Sequence, residues 1–299
     1  MRCASSQNSG FCAPSDCVGY ENFSPEKSNK TILGIPFLAV DGEDYDIQSI
    51  VCKNGTSNPD SEAFTMWWWD TATKKYVYAT YCNPYWVDDG TDDGAGTEVD
   101  EFGWATTDDD VFGYLSLGTK GATTDRAKTF VAGEGFWIMP ASAVASPSVT
   151  VAGKVANVAA STATVAAEVE SSNKQLIANP FPVGIDVQDI KCYADGKNPD
   201  SEAFTMWWWD TESKKYVYAT YCNPYWVDDG TDDGAGTEVD EFGWATTDDD
   251  VFGYLPVGTR GATTDHEKTF DSGEGFWLMP ASAVKNGTVT FPNPFYSAE

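Results

Sequence analysis

Residues 64–70 read FTMWWWD, and residues 204–210 read FTMWWWD again. Three tryptophans in a row pose a geometric question, because neighbouring side chains of a strand point to opposite faces. In a strand, Trp67 and Trp69 share one face and Trp68 takes the other. The following TATK reads as a four-residue turn, and KYVYATYC (75–82) as the returning strand of a hairpin. Tyr, Trp, Val and Thr all suit a pleated surface. On the returning strand Tyr76 and Tyr78 share one face, while Val77 and Tyr81 share the other. The hairpin is therefore apolar on both sides. Such a hairpin expects a core on one face and, on the other, a second sheet, a neighbouring chain or a ligand.

The hairpin belongs to an internal repeat. Residues 58–144 and 198–284 align without a gap at an offset of 140, and 77 of those 87 positions are identical. The flanks are more divergent: TILGIPFLAVDGEDYDIQSIVC (31–52) stands against QLIANPFPVGIDVQDIKC (175–192), and SVTVAGKV (148–155) against GTVTFPNP (287–294). Copying one cassette over the other produces that contrast, so the identity is no measure of selection. A period of this length is too long for a solenoid and suits two domains in tandem, which 299 residues can supply. The boundaries expected are a Cys-containing segment at 1–30, a first β repeat at 31–154, an extended linker or strand at 155–174, and a second β repeat at 175–299. Within a unit EFGWATT, VFGYL and GEGFWIMP supply further short strands, split by Gly, Asp and Pro. Apolar spacing of helical period is scarce. The expected fold is all-β, two tandem antiparallel β-sandwich-like domains.

A formal charge of −28 and a pI near 4.1 argue against nucleic acid as a partner, because phosphate binding rests on Lys and Arg. No run of about 18 apolar residues exists, so membrane insertion is not expected. Between Val87 and Val111, DDGTDDGAGTEVDEFGWATTDDD holds ten acids and no base. Counting Asp89 as position 1 places Thr91 at 3, Asp93 at 5, Gly94 at 6 and Asp100 at 12, which follows a calcium-loop spacing with Thr weakening position 3 and Asp replacing the final Glu. Asp229, Thr231, Asp233, Gly234 and Asp240 repeat it. Asp108–Asp110 and Asp248–Asp250 form a further acidic cluster. Hard oxygen ligands point to Ca2+ over zinc or a redox metal; the alternative is a loop solvated by water and sodium. No organic cofactor is indicated.

Cys52 and Cys82 are 30 residues apart, as are Cys192 and Cys222, at equivalent places in the repeats. Each pair is expected to form a disulfide in an oxidising compartment, with buried free thiols as the alternative. Cys3, Cys12 and Cys17 leave an odd number. The opening MRCASSQNSGFC does not resemble a signal peptide, so either the protein is cytosolic or a leader lies outside the sequence shown; the paired cysteine spacing favours the second, an extracellular or cell-surface location. Sequons stand at Asn22, Asn29, Asn54 and Asn286.

No catalytic residue is singled out, and an enzyme is not expected. The only histidine, His266, aligns with Arg126, so a base shared by both units is missing. Paired carboxylates for glycoside hydrolysis need an apolar pocket to raise one pKa, and here the acids crowd into Gly-rich loops. GEGFW at 133 and 273 is too short for a nucleotide loop.

Asn179–Pro182 reads NPFP, followed by Asp189 and Ile190; then come the W-x-x-D hairpin with a following Tyr, G-x-G-F-W and a TVT strand. This series resembles a tandem β-domain that recurs in bacterial surface and extracellular proteins. The first unit departs from it with GIPF. The resemblance implies secretion and repetition, and implies no reaction. The function expected is an extracellular structural protomer that self-assembles into a homopolymer, a filament or surface layer, with Ca2+ as the candidate stabilising ion. Segments such as 1–30 or 285–299 are candidates for strand addition to a neighbour. The alternative is a glycan-binding or adhesive protein. The face serving either role would draw on Trp67, Trp68, Trp69, Tyr85 and Trp86, with Trp207, Trp208, Trp209, Tyr225 and Trp226 in the second repeat.

Overall fold

The computed structural model describes residues 18–37, 44–70, 72–87, 96–107, 114–118, 127–155, 162–166, 175–227, 237–247, 254–256 and 268–296. The chain divides into two compact units, Met1–Asn157 and Val158–Glu299. Strands of the first unit are β1 (Val18–Phe23), β2 (Thr31–Gly34), β3 (Tyr45–Asp46), β4 (Val51–Asn54), β5 (Phe64–Asp70), β6 (Lys75–Cys82) and β7 (Tyr85–Val87). They continue with β8 (Thr97–Val99), β9 (Gly103–Thr107), β10 (Tyr114–Ser116), β11 (Thr129–Phe130), β12 (Gly135–Pro140) and β13 (Pro147–Lys154). The fold is all-β, as the strand composition led us to expect.

Two sheets make the body of the unit. A small sheet has the order β1-β13-β4, and a long one the order β2-β12-β5-β6-β9-β10-β7-β8. The pairings are antiparallel except for the parallel contact of β7 with β10, Leu115 opposite Trp86. Side chains of period two explain the layering. Val149, Val151 and Cys52 of the small sheet are fully buried, and so are Phe64, Met66, Phe136, Ile138 and Trp104 of the long one. Burying each Phe or Met stabilises the unit by about 1.5–3 kcal/mol. Two polar stitches tie strands together across this core. The Trp104 indole donates to the Ile50 carbonyl at 2.9 Å, and the Tyr45 hydroxyl accepts from the Ala152 amide at 3.0 Å.

A short 3-10 turn, Ile47–Ser49, is capped by Asp46, whose carboxylate accepts from the Gln48 amide at 2.7 Å. The turn aims Gln48 at β9. Its amide nitrogen donates to the carbonyls of Trp104 (2.6 Å) and Leu117 (2.5 Å), and its amide oxygen accepts from the Trp104 N–H (3.0 Å). Gly103 makes room for this knot: a Cβ there would lie 2.6 Å from the Tyr85 ring and 2.8 Å from the Gln48 oxygen.

The second unit repeats the arrangement. Phe204–Asp210 pairs with Lys215–Cys222 in the register of β5 with β6, and Gln188 makes the equivalent bonds to Trp244. Where the first unit departs from NPFP, the structure shows what changes. Asn179 is buried and donates to the carbonyls of Val183, Phe270 and Asp271, while accepting from the Phe181 amide. Ile35, in the GIPF of the first unit, is buried as an apolar side chain.

Two segments set outside the repeats by sequence belong to the units. Residues 18–23 pair with β13, and Thr162–Ala166, within the stretch expected as an extended linker or strand, pairs with Gly287–Pro292. Gly287–Pro292 also pairs on its other side with Lys191–Ala194. The described parts of both segments that were candidates for strand addition to a neighbour are thus hydrogen-bonded inside their own units.

Candidate functional site

The Trp hairpin resolves into two unlike faces. Phe64, Met66 and Trp68 of β5 are buried, whereas Thr65, Trp67 and Trp69 are half-buried. Inside, Trp68 is 7 % exposed and meets the ring of Phe130 edge-on at 6.2 Å. Lys128 lies 4.2 Å from the Phe130 centroid and 2.6 Å from the Glu134 carboxylate. Burial pushes the Glu134 carboxyl above its ordinary 4.5, with the Lys128 charge opposing.

Outside, the register aligns Ile32, Trp137, Trp67 and Tyr78 in one row across β2, β12, β5 and β6, with Trp69 opposite Tyr76 in the next. Tyr76 stacks on Trp137 at 5.2 Å and 23°, and Trp69 meets Tyr76 edge-on at 5.1 Å. The Lys30 ammonium sits 4.2 Å from the Trp67 centroid and 4.6 Å from that of Trp137, a cation–π geometry. The second unit has the same ring arrangement: Tyr216 stacks on Trp277 at 5.2 Å and 12°, and Trp209 meets Tyr216 at 5.1 Å. These rings therefore form a ridge in which Tyr76 and Trp137 pack face to face, as do Tyr216 and Trp277. The tyrosines stand out most, with Tyr76 and Tyr78 at 37 % and 46 % exposed and Tyr216 and Tyr218 at 40 % and 43 %.

Trp67 and Trp69, with Trp207 and Trp209, lie on this outer face; Trp68 and Trp208 lie in the cores and are not available to a partner. Tyr85 and Tyr225, expected among the exposed aromatics, are buried. Tyr85 packs on Cys82 and Ala105 and donates its hydroxyl to Glu101 at 3.2 Å, and Tyr225 donates to Glu241. Trp86 and Trp226 are half-buried beside Glu98 and Glu238 in the adjoining strands. Trp137, Trp277 and Lys30 were missed by sequence reasoning. Alternation in GFWIMP marks Trp137 as facing away from Phe136 and Ile138, yet only the β12–β5 register brings it beside Trp67.

The expected disulfides are corrected. Cys52, Cys82, Cys192 and Cys222 are free, buried thiols. Strand alternation gives the reason. The Tyr81 hydroxyl hydrogen-bonds at the Cys52 backbone, so Tyr81 points toward the small sheet. Cys82, the next residue, must point to the opposite face, where it packs with Tyr85 and Ala105. The long sheet lies between the two sulfurs, and their Cβ vectors point apart. Burial pushes the Cys82 and Cys222 thiols up to about 12, and those of Cys52 and Cys192 well above 9.0.

Of the calcium-loop residues, Asp89, Thr91, Asp93, Asp229, Thr231 and Asp233 lie outside the described residues, as do both Asp triplets and His266. Asp100 and Asp240 are exposed just after the strands Thr97–Val99 and Thr237–Val239. Among the described residues no group of three or more His, Cys, Asp or Glu is placed to hold a metal, and no helix is long and apolar enough to cross a membrane. No protein-family model, curated protein or solved structure matches the chain.

Proposed function

We propose that the protein is a structural protomer of an extracellular filament or surface layer, and that the aromatic outer faces of its two units make the contacts. The carrying observation is the ridge itself. A sugar stacks on an open ring face, whereas the Tyr76 and Trp137 faces lie against each other and Lys30 covers Trp67 and Trp137. The most exposed of these side chains are Tyr76, Tyr78, Tyr216 and Tyr218, the residue type that aromatic-rich protein interfaces use. The sequence resemblance to tandem domains of surface proteins supports the same reading. Copies carrying −28 each repel, and Ca2+ held by the acidic loops would offset that repulsion.

Native protein at micromolar concentration, sized by chromatography and imaged by negative stain, tests the reading. Extended assemblies are expected, and EDTA should shorten them. A monodisperse particle of 32.5 kDa whose tryptophan fluorescence shifts with a polysaccharide would replace it with a glycan-binding function. Assemblies indifferent to EDTA would remove calcium alone.

A further inference from the structure

We propose that each unit carries an N-linked glycan at the same tip of its small sheet, through an N-G-T sequon at Asn54 in the first unit and at Asn286 in the second. The inference rests on the extracellular location proposed above and names a modification made on the way there.

The two sequons stand on different strands. Asn54-Gly55-Thr56 starts on the last residue of β4, whereas Asn286-Gly287-Thr288 leads into Gly287–Pro292, the counterpart of β13. At the offset of 140, Asn54 aligns with Ala194 and Asn286 with Ser146, so neither sequon has a copy in the other unit. The fold nevertheless brings both to one place. In the first unit the Ser146 amide donates to the Asn54 side-chain oxygen at 3.0 Å, and the Gly55 amide donates to the Ser146 carbonyl at 2.7 Å. In the second the Asp195 amide donates to the Lys285 carbonyl at 3.1 Å, and the Asn286 side-chain nitrogen donates to the Asp195 carboxylate at 2.5 Å. A chance match has no reason to recur at the same tip on another strand. Asn22 and Asn29 lack such a match, because Asn286 begins the only sequon of the second unit.

Space and chemistry at the tip suit a bulky polar graft. Residues 55–58 and 195–198 are exposed. A Cβ added at Gly55 would meet nothing nearer than 4.0 Å, and one at Gly196 nothing within 4 Å. Asn286 is exposed at a φ of 45°, a left-handed conformation that Asn tolerates. In the transfer, the side-chain nitrogen bonds to the anomeric carbon of a lipid-pyrophosphate-linked oligosaccharide and loses a proton, while the lipid pyrophosphate leaves. The Asn54 oxygen bonds inward, which leaves its Nδ2 for the sugar. Asn286 keeps one N–H for Asp195 after substitution. Both tips belong to the small sheet, across the core from the aromatic outer face of the long one, so the sugars leave that face uncovered.

Glycopeptide mass spectrometry on protein recovered from its native cell surface or medium is the test. Peptides holding Asn54 and Asn286 are expected to carry sugar, with fragmentation placing it on the Asn. Thr56→Val and Thr288→Val remove the sequon hydroxyl and keep a β-branched side chain; each should abolish the sugar at its own site alone. The unaltered chain decides even where a variant fails to fold. Asn54 or Asn286 found bare, or converted only to Asp, on protein from outside the cell overturns the proposal and leaves the extracellular reading standing. Sugar that persists on the Asn of a Val variant also overturns it. Bare protein confined to the cell interior overturns both.

Discussion

Trp68 and Trp67 are sequence neighbours of one residue type, and the two faces of the long sheet put them to different uses. Trp68 fills the space between sheets against Phe130, near the Lys128–Glu134 pair. Trp67 stands on the outside among Trp137, Tyr78 and Lys30. The difference separates what holds a unit together from what a unit can offer. A core ring is surrounded, so its removal leaves a cavity. A ridge ring has water or a partner on one side, so its removal costs little until a partner is present.

The largest expected effect breaks the comparison most directly. Trp68→Ala should destabilise the first unit by about 3–5 kcal/mol, while Tyr78→Ala should stay within about 0.5 kcal/mol, both read from denaturant midpoints. Equal losses would abolish the distinction between the faces. Next comes the polar knot beneath β9's counterpart in the second unit. Gln188→Ala leaves the Trp244 N–H and carbonyl without the side chain that bonds them, and a loss of about 2–4 kcal/mol is expected in the same measurement.

The thiols sharpen the comparison chemically, because Cys52 and Cys82 lie on opposite sides of one sheet. All four described cysteines should resist iodoacetamide at pH 8 in the native protein, since burial holds the thiolate fraction low. All four should label after denaturation without reductant, read by peptide mass. Cysteines that stay unlabelled there would restore the disulfides.

The smallest effects are in pH. Glu134 has a raised carboxyl pKa, so the folded state binds its proton more tightly than the unfolded chain does. Stability should therefore fall as pH rises from 4.5 toward that raised value, and Glu134→Gln should flatten the slope. Asp70 has the opposite sign. The Thr73 hydroxyl bond, first among its causes, lowers its pKa below 3.8. Its contribution is present above pH 3.8 and is lost as pH falls through the lower folded value, so Asp70→Asn should blunt acid sensitivity below pH 3.8. Thermal melts from pH 3 to 7 check both.

Much of this was legible in the chain. Period two in FTMWWWD assigned Trp67 and Trp69 to one face and Trp68 to the other, and the β-rich composition indicated the fold. Long-range register was not legible. Nothing in GEGFWIMP says which strand it adjoins, so the ridge lost Trp137 and Lys30, and Tyr85 was taken for an exposed ring. Cysteine spacing misled for a related reason. Equal spacing in two repeats shows only that they are equivalent, whereas bridging depends on which way each Cβ points. The parity of Tyr81 and Cys82 settles the matter, because Tyr81 reaches Cys52 and Cys82 faces the other way.

The strand that completes each small sheet comes from the stretch of chain ahead of the repeat: Val18–Phe23 for the first unit and Thr162–Ala166 for the second. The folding unit is therefore out of phase with the most similar stretch of sequence. A gene that gains or loses copies by recombination inside the near-identical cassette keeps this phase, since every resulting unit still inherits an upstream strand and a downstream TVT strand. Copy number can change while the central strand of every small sheet stays flanked on both sides, so array length is open to variation at little cost to folding.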